Sequence, residues 1–215
     1  MAWAEQMQTV GALETLGCVL GAYALGCFAT GYYLVRARTG QDIRELESGS
    51  IGARNVGRAL GKTGFTITLL GDFAKGAFAV WAVRHFSGSH LLAALAMVSV
   101  VAGHIWPATL QFHGGKGAAT SLGALLVYDP ELALVFVVCC LPGALLFRKI
   151  TLPAMVAYAC LPVASYWLHR DSVEVTLLGV LASLVIFAHR QNLLKEIPAL
   201  IMRRDLSVKP QPPKP

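Results

Sequence analysis

The chain has 215 residues, of which 55% are hydrophobic and only 14% are charged. This composition lies to the apolar side of an average globular protein and points to a protein embedded in lipid. The net charge of +6 could suggest a nucleic-acid partner, but the basic residues stand in separate loops and form no single stripe. We therefore expect membrane lipid as the partner of this charge, with no nucleic acid and no obligate protein partner.

Apolar segments follow one another along the chain at roughly 16–35, 64–83, 91–112, 118–128, 132–147, 151–168 and 175–188. A helix that crosses a bilayer needs about 20 mostly apolar residues. The fourth, fifth and seventh segments are shorter than that, so tilted or re-entrant segments remain open. The sequence predicts an all-α integral membrane protein with about seven transmembrane helices.

The basic residues predict an orientation. If the amino terminus is outside, only Arg84 and Arg170 of the 18 Lys and Arg residues fall in outside loops, Lys75 falls within a span, and all the others are inside. This bias is typical of cytoplasmic loops and predicts a cytoplasmic carboxy terminus. We expect residues 1–202 to form one transmembrane domain and the basic, Pro-rich residues 203–215 to form a disordered cytoplasmic tail.

The first inside loop is rich in residues that can hold an anion. Glycines permit the turns that direct several backbone N–H groups to one point, and polar and basic side chains stand between them. The residues are Ser48, Gly49, Ser50, Gly52, Arg54, Asn55, Gly57, Arg58 and Gly61. The alternative is a flexible juxtamembrane loop that is basic only because it is cytoplasmic.

A second glycine loop, Gly114-Gly115-Lys116-Gly117, precedes an apolar helix. Backbone N–H groups at a helix start favour phosphate, and the lysine adds a positive charge. The alternative is a tight turn in which the lysine marks the membrane edge. Both loops fall on the predicted cytoplasmic side, so together they predict a phosphate-handling site on that face.

Ionisable residues inside apolar segments require a polar partner or a polar interior. Asp72 and Lys75 are three positions apart on one helical face, and either a structural ion pair or a site facing the bundle explains them. His104 precedes the glycine loop and can either relay a proton or serve as a hydrogen-bonded packing residue. His189 and Asn192 stand at the inside end of the last span.

Five motifs in order resemble the bacterial acyl-phosphate-dependent glycerol-3-phosphate acyltransferases, the PlsY family. The five motifs are Ser48-Gly-Ser-Ile-Gly-Ala-Arg-Asn-Val-Gly-Arg58, Gly71-Asp72-Phe-Ala-Lys75-Gly76, Gly103-His104-Ile-Trp-Pro107, Gly114-Gly-Lys116-Gly-Ala-Ala-Thr120 and His189-Arg-Gln-Asn192. Each motif is weak alone, but their order and spacing cover most of the chain. The resemblance implies a seven-span enzyme of the bacterial inner membrane with a cytoplasmic active site.

The resemblance also implies the reaction. An acyl group passes from acyl phosphate to the sn-1 hydroxyl of glycerol 3-phosphate, giving lysophosphatidic acid and phosphate for phospholipid biosynthesis, without a metal or another cofactor. Carried over by motif, the catalytic candidates are Ser48, His104, Thr151 and Asn192. The candidates for substrate and phosphate binding are Asn55, Arg58, Gly115, Lys116, Gly117 and His189.

The chain departs from the usual family pattern at a few positions. Ser50 replaces a usual Asn, Arg54 a usual Thr and Thr151 a usual Ser, and the residues after Asn192 differ. Pro198 is expected to end the last helix early. Two alternatives to the enzyme therefore stay open: a paralogue that binds lipid or acyl phosphate without turnover, and a small anion transporter.

Overall fold

The computed structural model describes residues 11–207, with side chains as far as residue 198, and that part of the chain is helical without strands. Two short 3₁₀ turns, Ile43–Glu45 and Ala108–Leu110, lie in the loops. The α-helices are α1 Ala12–Gly26, α2 Thr30–Thr39, α3 Ala53–Ser87, α4 His90–Ile105, α5 Ala118–Tyr128, α6 Pro130–Phe147, α7 Thr151–Trp167, α8 Ser172–Ala188 and α9 Arg190–Ser207. The all-α fold expected from the sequence is confirmed.

The first apolar segment is not one continuous helix. It breaks between Gly26 and Thr30, and the break frees backbone carbonyls inside an apolar bundle. Lys75 of α3 satisfies two of them, because its Nζ donates to the carbonyl oxygens of Gly26 at 3.1 Å and Phe28 at 2.6 Å. Unpaired backbone groups are costly in lipid, so a distant lysine makes the break tolerable. Sequence periodicity carries no sign of that contact.

Four helical segments of the described chain are long and apolar enough to cross a membrane: Ala12–Thr39, α3, His90–Leu110 and α6. The pair formed by α8 and the start of α9, bent by 65°, would make a fifth. Helix α5 has only 11 residues. The expected count of seven therefore stays a prediction.

The last helix differs from expectation at Pro198. This proline lies inside α9, which continues to Ser207, so the expected early end is wrong. The 65° bend occurs earlier, at His189, between α8 and α9. Residues 203–207, predicted as part of a disordered tail, continue the helix, and residues 208–215 lie outside the described residues.

Close helix crossings hold the bundle together. A Cβ at Gly76 would collide with the carbonyl oxygen of Thr120, and one at Gly123 would collide with that of Phe73, so α3 and α5 meet backbone to backbone. Small residues at such crossings are the usual means of packing helices in lipid. The core beside them is apolar and includes Met97, Val100, Leu125, Tyr158 and Leu161. Lys116, just before α5, feels the charges of Arg54 and Arg58 in the first turns of α3, so the starts of the two helices lie at the same end of the bundle.

Candidate active site

The first polar loop is shorter than the sequence suggested, because α3 already begins at Ala53. Gly57 therefore lies within a helix and is not part of a loop nest. Gly61 has a φ of 71° and kinks α3 one turn later, a backbone conformation that glycine adopts at little cost. Most of the residues predicted to form a glycine-rich anion nest therefore lie in the first turns of α3.

Asn55 closes this loop against the helix. Its buried Nδ2 donates to the carbonyl oxygens of Ile43 at 3.3 Å and Leu46 at 3.0 Å, and its Oδ1 accepts from the backbone N–H of Ser48 at 3.2 Å. These bonds use both amide N–H groups and one of the two acceptor sites of the amide oxygen. Asn55 thus shapes the site by bracing its loop.

The second glycine loop lies directly on His104. The N–H of Gly115 donates to the His104 carbonyl at 3.0 Å, and that of Gly114 donates to the Ile105 carbonyl at 3.2 Å. A Cβ at Gly115 would collide with Nε2 of His104, so only glycine fits there. Gly117 has a φ of 80° and precedes α5 as its N-cap. The loop therefore turns sharply and presents Lys116 at a helix start.

Lys116 joins two motifs that are far apart in the sequence. Its Nζ donates to Oδ1 of Asn192 at 2.7 Å. Burial lowers the pKa of Lys116, and the positive charges of Arg54, Lys195 and Arg58 lower it further. Four cations therefore act on one another here, with Glu196 as an opposing charge. Such crowding of like charge is expected where an anion is to be bound.

Arg54 links the start of α3 to the start of α7. Its Nη1 donates to Oγ1 of Thr151 at 3.1 Å. Beside it opens a cavity of about 490 Å³, lined by Arg54, Gly57, Arg58, Gly61, Lys62, Phe65 and Thr66. The first loop, the glycine loop, the turn before α7 and the start of α9 thus meet at one end of the bundle, as the sequence suggested. We call the space beside Arg58 the first cavity.

His104 lies in the last turn of α4. Its side chain is buried, with Nδ1 3.7 Å from Oδ1 of Asp72, while the same carboxylate oxygen is 3.2 Å from Nζ of Lys75. The ion pair between Asp72 and Lys75 is therefore present. His104 lines neither this cavity nor any other described here, because Gly115 covers its Nε2 edge.

The remaining predicted residues are spread around this centre. His189 is buried, and its Nδ1 is 2.8 Å from the carbonyl oxygen of Val185. Ser48 is exposed and enters the described hydrogen bonds through its backbone N–H. Lys62 and Thr66 line the first cavity, and neither is among the residues predicted for the site. Their spacing of four from Arg58 and from each other is the signal that identifies one helical face.

An apolar helix bundle with a basic cavity at one polar end defines the class of protein, a multi-pass membrane protein. In the part of the chain that the structure covers, no group of three or more His, Cys, Asp or Glu side chains could hold a metal ion.

Comparison with known proteins narrows the class. The family model described as glycerol-3-phosphate acyltransferase matches residues 16–197. Glycerol-3-phosphate acyltransferase 1 of Desulfitobacterium hafniense is 43% identical over 81% of this chain and 87% of its own length. The glycerol-3-phosphate acyltransferase of Laribacter hongkongensis is 40% identical over 85% and 92%, respectively. The chain belongs to the glycerol-3-phosphate acyltransferase family.

Solved structures agree with this assignment. The glycerol 3-phosphate form of PlsY (YgiH), described as an integral membrane glycerol 3-phosphate acyltransferase, superposes with a TM-score of 0.78 at 30% identity. That match covers 86% of this chain and 92% of PlsY. The lysophosphatidic acid form gives a TM-score of 0.75 at 28% identity. The family resemblance inferred from the five motifs is confirmed.

Proposed function

We propose that this protein transfers a fatty acyl group from acyl phosphate to the sn-1 hydroxyl of glycerol 3-phosphate, a step in phospholipid biosynthesis. The observation that carries the proposal is the meeting of Arg54, Arg58 and Lys116 beside Asn192 at one end of the bundle. The relatives' names supply the acceptor, glycerol 3-phosphate. Acyl phosphate as the donor is the choice that the PlsY resemblance favours.

The arrangement suits the chemistry because both substrates carry phosphate and the donor also carries a long hydrocarbon chain. Two phosphates repel each other, and fixed cations in a partly dehydrated site offset that repulsion. A mixed anhydride is already activated, so holding the reacting atoms together supplies much of the catalysis. A basic cavity along the start of α3, at the polar end of an apolar bundle, meets both needs.

The reaction is a direct transfer. The sn-1 hydroxyl oxygen forms a bond to the acyl carbonyl carbon, the bond from that carbon to the bridging phosphate oxygen breaks, and inorganic phosphate leaves. The hydroxyl proton ends on the departing phosphate. We assign it there because His104 is buried and does not line the first cavity, which leaves substrate phosphate as the acceptor.

Within this proposal, Arg58 and Lys116 bind substrate phosphate, and Asn192 orients Lys116 through the 2.7 Å hydrogen bond. Thr151 offers a hydroxyl beside Arg54, and Ser48 offers one at the edge of the first loop. Gly115 and Gly117 shape the turn that carries Lys116. The other candidates, Asn55, His104 and His189, are buried and hold these elements in place.

The proposed location of the protein is the bacterial inner membrane, with the active site on the cytoplasmic side. The bias of the basic loops supports an outside amino terminus, a cytoplasmic active site and residence in the bacterial inner membrane. Residues 1–202 would be the acyltransferase domain, and residues 203–215 would lie on the cytoplasmic side. Labelling of introduced single cysteines from either side of sealed vesicles tests this orientation. Labelling of the cysteine in Arg38→Cys from the outer side would contradict this orientation.

A donor comparison tests the activity most directly. Purified protein in lipid receives glycerol 3-phosphate with acyl phosphate, acyl-CoA or acyl carrier protein, and phosphate and lysophosphatidic acid are measured. We expect both products from acyl phosphate alone. No product from acyl phosphate under varied lipid and pH conditions would overturn the proposal. Phosphate flux into sealed vesicles without an acyl donor would support an anion transporter instead.

A further inference from the structure

Tyr158 lies in the middle of α7, and its ring and its hydroxyl contact different helices. The side chain is buried, and the ring packs on Phe136 of α6, with the two ring centroids 4.7 Å apart. The hydroxyl is within hydrogen-bond distance of two groups at the start of α5, the carbonyl oxygen of Ala118 at 3.1 Å and the hydroxyl of Ser121. A phenylalanine would fill the same apolar space, so the hydroxyl is the part of Tyr158 that acts on α5.

Ser121 connects this hydroxyl to the glycine loop. The Ser121 hydroxyl donates to the carbonyl oxygen of Gly117 at 2.8 Å, and the Ser121 backbone N–H donates to the same oxygen at 2.8 Å. The helix therefore already satisfies this carbonyl, and the hydroxyl adds a second bond. Gly117 has a φ of 80°, and glycine has more conformational freedom than any other residue. The second bond thus restricts the flexible residue next to Lys116.

The same face of α7 also contacts α3. Thr151 is seven positions before Tyr158, which is about two helical turns, so the two side chains leave the helix on one face. Oγ1 of Thr151 accepts from Nη1 of Arg54 at 3.1 Å. Hydrogen bonds between polar side chains join neighbouring helices in lipid. Through these two residues, α7 links the start of α3 to the start of α5, the helix that follows Lys116.

We propose that the Tyr158 hydroxyl positions Lys116 for substrate phosphate. It holds the Ser121 hydroxyl against the Gly117 carbonyl and thereby fixes the start of α5 and the turn that presents the lysine. Tyr158 does not line the first cavity, so it acts through Ser121 and Gly117 and makes no contact with substrate there. This inference rests on the proposed function, in which Lys116 binds substrate phosphate.

Tyr158→Phe, in the full-length protein reconstituted in phosphatidylcholine vesicles, removes the hydroxyl and keeps the ring. We expect KM for glycerol 3-phosphate to rise about fivefold, as the loss of one hydrogen bond implies, and kcat to stay within about twofold. Ser121→Ala interrupts the same path and should give the same result. Tyr166→Phe is the matched control, because Tyr166 is an exposed tyrosine of the same helix, and both constants should stay parental. An unchanged KM in Tyr158→Phe, or a fall in kcat alone, would overturn the proposal.

A double variant tests whether the effect passes through Lys116. Binding of glycerol 3-phosphate alone is measured by calorimetry for the parent, Tyr158→Phe, Lys116→Ala and Lys116→Ala/Tyr158→Phe. We expect Tyr158→Phe to weaken binding about fivefold in the parent background and to have no further effect once the lysine is removed. A tyrosine that only supports the bundle would weaken binding by the same factor in both backgrounds, and that result would overturn the proposal.

The binding measurement also separates this inference from the proposed reaction, because it needs neither an acyl donor nor turnover. Weaker binding in Tyr158→Phe, together with no acyl transfer by the parent, would support the positioning role and overturn only the reaction. Acyl transfer by the parent, together with equal binding of glycerol 3-phosphate by the parent and Tyr158→Phe, would overturn only the positioning role.

Discussion

Lys116 and Asn192 are 76 positions apart, yet the lysine Nζ lies 2.7 Å from the asparagine Oδ1. The contact joins the loop before α5 to the first turn of α9, just beyond the bend at His189. It holds the flexible side chain of Lys116 in one position, where the charges of Arg54, Arg58 and Lys195 also act on it. Ordering of this kind is what a phosphate site requires before its ligand arrives.

Lys116→Ala removes the cation at the centre of this cluster. We expect kcat/KM for glycerol 3-phosphate to fall at least about a hundredfold. A charged hydrogen bond to phosphate contributes about 1.5–3 kcal/mol, and the attraction between the lysine charge and the phosphate charge adds to it. Asn192→Ala should have a smaller effect, mainly on KM. Cys139→Ala, an exposed position on α6, serves as the control. Parental kinetics in Lys116→Ala would remove the lysine from the site.

The pH dependence follows from the lowered pKa of Lys116, which arises from burial and from Arg54 and the other nearby cations. The charged form binds phosphate, and a lowered pKa means that this form is lost at a lower pH than for a free lysine. KM for glycerol 3-phosphate should therefore rise on the alkaline side of neutrality. Bound phosphate opposes the shift, so kcat should change less than kcat/KM.

The matched variant for this prediction is Lys116→Arg, since arginine stays protonated throughout the accessible range. Steady-state kinetics as a function of pH should show the alkaline decline in the parent and a flatter profile in the variant. The same decline in both proteins would assign the titration to another group.

Gly115 and His104 provide a test of positioning. Gly115→Ala should abolish most activity, because its Cβ would collide with Nε2 of His104 and displace the lysine loop. His104→Ala removes the obstacle, so the double variant should be no worse than the poorer single variant. Such non-additivity is the mark of direct contact. Strictly multiplicative losses in kcat/KM would contradict the packing, and full activity of His104→Ala would exclude even a positioning role.

The ion pair between Asp72 and Lys75 predicts a stability effect. Lys75→Met leaves a buried carboxylate without its cation and frees the carbonyls of Gly26 and Phe28. Loss of one partner of a buried pair costs about 3–5 kcal/mol, which should lower the unfolding temperature in detergent clearly. Asp72→Asn/Lys75→Met should recover part of it. Equal unfolding temperatures for the parent and Lys75→Met would show that the pair does not support the bundle.

The start of α5 at Ala118 and that of α7 at Thr151 were predictable from the sequence, because glycine or charged residues change there to long apolar runs. The break between α1 and α2 and the helical state of Gly57 were not. The break depends on a contact over a long sequence distance, because Lys75 satisfies its carbonyls. The helix start depends on the bracing of the preceding loop by Asn55, which hydrogen-bonds carbonyls 9 and 12 positions before it. The pattern of apolar residues predicts which positions are buried. It does not predict which distant polar side chain will hydrogen-bond the backbone carbonyls at a helix break.

By itself the sequence determined the helical membrane character of the protein and its family, and it named the residues that we propose for phosphate chemistry, since these follow from composition, apolar length and ordered motifs. Only the tertiary structure decided which of them act together. It joined Lys116 to Asn192 and Arg54 to Thr151, and it set His104 behind Gly115. The physical reason is that helix packing, governed by close contacts such as that of Gly76 with Thr120, sets the directions in which otherwise equivalent polar side chains point.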